Sequence, residues 1–84
     1  MKISRIKIRG VIPVKGLIGF VSLVIDDWLY LGNIAIFTRL SGDGIRLVFP
    51  QKKMGETSIN IFYPLSKDGY YELEKAVQEK MQGL

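Results

Sequence analysis

An α+β fold, with a curved, mostly antiparallel sheet of about five strands and one C-terminal helix packed on it, is predicted by three features of these 84 residues. Five runs rich in Ile, Val, Leu, Phe and Tyr are each short enough for a strand. Turn signals separate them: Pro13-Val14-Lys15-Gly16, Asp26-Asp27, Ser41-Gly42-Asp43-Gly44 and the stretch from Pro50 to Glu56. Only the last segment changes to a helical period, with Tyr70, Leu73, Val77 and Met81 on one stripe. The length corresponds to one domain over 1–84. So short a chain buries a thin core, and with no cysteine it has no disulfide to brace it. A hydrophobic content of 48% therefore points to a homodimer as the source of further buried surface.

The first strand is expected over about residues 3–12. Its period is two, with Arg5, Lys7 and Arg9 on one side and Ile6 and Ile8 on the other. The second, about 17–25, is apolar on both faces. So is the third, about 28–38, where simple alternation places Trp28, Tyr30, Ile34 and Ile36 on one side and Leu29, Leu31, Ala35 and Phe37 on the other. Strands apolar on both faces need cover on both faces. One helix supplies one cover, and a second subunit is the natural second, which makes Trp28, Tyr30, Ile34 and Phe37 the expected dimer interface. The fourth and fifth strands fall at about 45–49 and 57–63, each followed by a proline where a missing N–H does least harm. The helix spans about 66–82, with Ser66 as N-cap, Asp68 in the first turn and Gly83 as the stop.

The formal net charge is +4, and its distribution is uneven. Residues 1–15 carry Lys2, Arg5, Lys7, Arg9 and Lys15 with no acid, and Arg39, Arg46, Lys52 and Lys53 follow with only Asp43 among them. A polyanion is the partner such a distribution suits. The chain has no histidine and no cysteine, which removes the commonest general base, the commonest metal ligand and the strongest side-chain nucleophile. Ser41-Gly42-Asp43-Gly44 lacks the lysine of a phosphate-cradling loop and reads as a hairpin turn. Asp26-Asp27 reads as an Asx-type turn rather than a metal or acid/base pair. No enzyme, cofactor, metal or small-molecule substrate is expected. The apolar stretch from Leu17 to Thr38 is interrupted by Asp26 and Asp27, each costing about 2.5–3.5 kcal/mol at mid-membrane, and the N-terminus lacks the apolar block of a secretory signal. The expectation is a protein of the cytoplasm with no membrane association.

Gln51-Lys52-Lys53 is placed by this reading on an exposed loop after Phe49-Pro50, where the three side chains are free to meet phosphates or base edges. Lys7, Arg9, Arg39 and Arg46 add to the same field. The order of segments resembles the SpoVG (stage V sporulation protein G) family. Ile3 to Val11, ISRIKIRGV, looks like that family's opening strand, and Phe20 to Phe37, FVSLVIDDWLYLGNIAIF, like its long second and third strands. Ile45 to Lys53, IRLVFPQKK, is similar to its strand leading into a proline and a basic pair, and Tyr63-Pro64-Leu65-Ser66 with the helix ending in AVQEKM to its proline turn and last helix. The resemblance implies a small cytoplasmic regulator that pairs through strands and binds DNA or RNA. It implies DNA contact for Lys52 and Lys53, with Gln51 beside them as a reader of base edges. The competing reading is a homodimeric protein-interaction module with no nucleic-acid role, whose partner surface is the aromatic cluster of Trp28, Tyr30 and Phe37.

Overall fold

Two tight turns and one longer loop lay the first four strands side by side. In the computed structural model, which describes residues 1–83, β1 (Ile3–Val14), β2 (Leu17–Ile25), β3 (Leu29–Thr38) and β4 (Ile45–Val48) form an antiparallel sheet in the order β1-β2-β3-β4. Lys15 and Gly16 turn β1 into β2 with φ of 52° and 90°. Asp26 and Asp27 turn β2 into β3 with φ of 50° and 62°, and the Trp28 N–H donates to the Ile25 carbonyl at 3.1 Å. Positive φ at both central residues is the hairpin geometry that matches strand twist. The two carboxylates are used structurally, though by reaching to Lys2 rather than to their own backbone. Asp26 Oδ1 accepts from the Lys2 N–H at 2.8 Å and Asp27 Oδ2 from Lys2 Nζ at 2.9 Å.

Two of the four register shifts in the sheet, both single-residue β-bulges, set which side chains share a face in β1 and β3. In β1 the pairing slips between Ser4 and Lys7, around Arg5 at φ 49°. In β3 it slips between Ile34 and Leu31, around Asn33 at φ 58°. An extra residue reverses the alternation beyond it. Leu31, Ile34 and Ile36 therefore share one face, while Tyr30 falls on the other with Ala35 and Phe37. The expected grouping of Tyr30 with Ile34 is corrected by this bulge.

The helix α1 (Lys67–Gln82) covers the first face. Its Leu73 and Val77 join Val21, Leu23, Ile34, Ile36, Ile45 and Leu47 in the core. Burying an aliphatic side chain of this size is worth about 1.5–3 kcal/mol, so these eight hold the helix to the sheet. Ser66 caps α1 as expected, its hydroxyl accepting from the Gly69 N–H at 3.0 Å. Tyr70 reaches back to the edge of the sheet, where its hydroxyl accepts from the Leu47 N–H at 2.9 Å. Nothing among the described residues covers the second face.

The stretch from Pro50 to Glu56 is not a loop. Gln51–Met54 is a strand, β5, which pairs with β6 (Thr57–Asn60) as a separate two-stranded hairpin. Gly55, at φ 64°, occupies the first central position of its two-residue turn, the place where a type II′ turn needs glycine. The fifth strand expected over 57–63 is thus four residues long and joins β5 rather than the main sheet. The hairpin stands off the body, and all ten residues from Gln51 to Asn60 are exposed.

Candidate nucleic-acid interface

Charge is sorted by structural element. The six strands carry Arg5, Lys7, Arg9, Arg46, Lys52 and Lys53 and not one carboxylate. Every Asp and Glu lies in a turn or loop (Asp26, Asp27, Asp43, Glu56) or on α1 (Asp68, Glu72, Glu74, Glu79). The uncovered sheet face therefore carries cations with no carboxylate on its strands, and the hairpin carries two lysines on its strands with Glu56 at its turn.

On the uncovered face the cations sit beside aromatic rings. Arg9 is paired across strands with Phe20, and its guanidinium carbon lies 5.7 Å from the ring centroid. Arg46 is paired with Phe37 at 5.0 Å. Both distances fall in the range of cation–π attraction. Lys7 pairs with Ser22 one step along β1. The Tyr30 ring lies over Gly32, where an added Cβ would come within 2.9 Å of it. Between these groups opens a cleft of about 200 Å³ whose rim includes Lys7, Arg9, Phe20, Ser22, Tyr30 and Asn33.

On the hairpin, alternation separates the two lysines. Lys53 shares a side with Gln51, Ser58 and Asn60, and Lys52 shares the other with Met54 and Ile59. One side is polar, the other half apolar, and the basic pair does not act as a single patch. Gln51 is engaged with its cross-strand neighbour, its Nε2 donating to Asn60 Oδ1 at 2.7 Å.

Three expected positions are placed elsewhere. Arg39 follows β3 and is ion-paired through its Nη2 to Glu74 Oε1 of α1, on the helix side. That hydrogen bond, followed by the charge of the same carboxylate, raises the Arg39 pKa further above the usual arginine value. Ile34 is fully buried in the core of its own chain and offers no surface to a second one. Trp28 is 76% exposed, but on the β2–β3 turn rather than on the sheet face. Tyr30 and Phe37 do share a face, but with Arg9 and Arg46 rather than with Ile34. Phe20, Ser22 and Asn33 belong to this face and were not among the expected site residues. Asn33 carried the available signal, because Gly-Asn inside an apolar strand marks a bulge.

No helix among the described residues is long and apolar enough to cross a membrane. No curated protein matches the chain. The family model for SpoVG matches residues 1–83, and the chain therefore belongs to the SpoVG family, a family of regulators associated with sporulation and septation.

Proposed function

We propose that this chain is a cytoplasmic nucleic-acid-binding regulator that acts as a homodimer, without catalysis and without a cofactor. The observation that carries the reading is the segregation of charge, with six cations and no carboxylate on the strands. Phosphate neutralisation by such a surface supplies affinity that is largely independent of sequence and falls steeply with salt. Lys53, with Ser58 beside it, supplies the direct contact of the hairpin, and Lys52, on the side of Met54 and Ile59, adds its charge to the field. Lys7, Arg9 and Arg46 supply those of the sheet.

Dimer formation is supported by the apolar side of the hairpin, where Met54 and Ile59 are 50% and 52% exposed and Ile61 follows them at 60%. It is not the bare sheet face that a second copy suits, since two copies face to face would bring Lys7, Arg9 and Arg46 against their equivalents with no acid between them.

The test is fluorescence anisotropy of labelled DNA and RNA against the purified protein, at low and at physiological salt. Salt-sensitive binding that falls more than tenfold in the folded Lys52→Glu, Lys53→Glu double variant is the expected result. Full affinity in that variant would remove the hairpin from the interface. No binding at low salt would leave the protein-interaction module as the better reading, with the exposed Trp28 as its first anchor.

A further inference from the structure

We infer that the cleft on the uncovered sheet face is a seat for one unpaired nucleobase, which makes single-stranded nucleic acid the preferred partner. The inference rests on the nucleic-acid reading above and adds to it a substrate class and a second surface.

Four observations converge on the cleft. Its volume, about 200 Å³, is many times the roughly 30 Å³ of a water molecule and admits a planar heterocycle. Its walls include two rings, Phe20 and Tyr30, of which Tyr30 is 68% exposed and rests over Gly32. An exposed ring on an uncovered sheet is a stacking platform, and every base has a face to stack. The rim is cationic through Lys7 and Arg9 with no carboxylate on the strands, so the charge suits the phosphates flanking a base. The cleft also holds two polar side chains, Ser22 and Asn33. The side-chain hydrogen bonds formed among the described residues leave both of them out.

Asn33 is the most informative of these. It holds φ at 58° at the β3 bulge, a conformation that asparagine tolerates better than most side chains. The bulge places its amide at the rim of the cleft, and an amide can donate and accept on a base edge. A duplex cannot use this site, because its bases are stacked and only their edges are open. A single strand can splay one base onto Tyr30 while its backbone runs past Lys7 and Arg9.

The experiment measures anisotropy of one labelled 12-nucleotide strand, as single-stranded RNA and DNA and as the matching duplexes, with wild type, Tyr30→Ala, Tyr30→Phe, Asn33→Ala and the hairpin double variant. Wild type is expected to prefer single strands. Tyr30→Ala is expected to shrink the ratio of single-strand to duplex affinity on the order of tenfold, the scale of one lost stacking contact, while Tyr30→Phe keeps it. Asn33→Ala is expected to flatten any preference among homopolymers. An unchanged ratio in Tyr30→Ala, or a duplex preference in wild type, overturns the base seat. If affinity in that case still collapses in the hairpin variant, the nucleic-acid function stands and this site alone falls. Absence of binding by wild type to every probe removes both. Dissociation of a dimer by Tyr30→Ala in sedimentation would assign the face to a second copy and equally overturn the inference.

Discussion

Ile34 has no exposed surface and lies between Val21 of the neighbouring strand and the helix-side core. Truncating it removes buried methylene and methyl groups and leaves a cavity that the surrounding strands cannot fill. Ile34→Ala is expected to lower the unfolding free energy by about 2–4 kcal/mol, read as a drop in the urea midpoint with unchanged slope. A loss of less than about 1 kcal/mol, the scale of a half-exposed position, would place Ile34 outside the core. The sequence alone misassigns this residue for a local reason. Alternation counted from Trp28 gives Ile34 the same side as Tyr30, and only the extra residue at Gly32-Asn33 separates them. Arg9 shows a related limit, in its cross-strand partner and not in its face. Counting back from the Lys15-Gly16 turn pairs Arg9 with Ser22, whereas the slip between Gly10 and Val14 brings Phe20 opposite it. Period-two patterning is legible in the residues, but the bulges that reset its phase are set by strand pairing. Arg39 was misplaced for another reason, since its partner Glu74 lies 35 positions away on an element whose docking side no local pattern records.

At the level of elements, the four strands of the main sheet and the helix are legible because each has a strong local pattern. The Ser66 cap and the Tyr70, Leu73, Val77, Met81 stripe behave as the spacing requires, with Leu73 and Val77 buried and Tyr70 and Met81 packed against the core. Gln51-Lys52-Lys53-Met54 has no such pattern, so nothing in it announces a strand. It becomes one because Gly55 supplies the turn that folds Thr57–Asn60 back on it. The consequence for function is that Lys52 and Lys53 are on opposite sides of a thin ribbon. Single reversals are therefore expected to differ. Lys53→Glu places a carboxylate among Gln51, Ser58 and Asn60, on the side with hydrogen-bonding groups for phosphate, and is expected to weaken binding by at least threefold more than Lys52→Glu. The slope of log affinity against log salt should become shallower by about 0.7–0.9 in Lys53→Glu, the contribution of one phosphate contact. Equal effects from the two single variants would mean that the ribbon is gripped from both sides.

For the molecule as a whole, the exposed hairpin is what bears on the proposed pairing of two copies. The Cα radius of gyration is 13.0 Å, against about 12 Å for a compact chain of this length. A two-stranded hairpin is marginal in water without a face to pack on, and this one exposes Met54 and Ile59 on its apolar side. A second chain laid against that side would cover both and leave Lys53 and the sheet cations open. Pairing would also place two positive surfaces on one particle, so that a long strand engages both and gains avidity, while an oligonucleotide shorter than their separation engages one. Ile59→Glu separates these effects, because the residue lies on the hairpin's apolar side and outside the core. Sedimentation should show wild type as a concentration-dependent dimer and Ile59→Glu as a monomer with unchanged secondary structure by circular dichroism. Affinity for a long strand should fall by about tenfold to a hundredfold in the variant, while affinity for a short one stays within about twofold. Were wild type monomeric at every concentration, or were both probes weakened alike, the hairpin would contact nucleic acid directly through its apolar side and the avidity argument would fail.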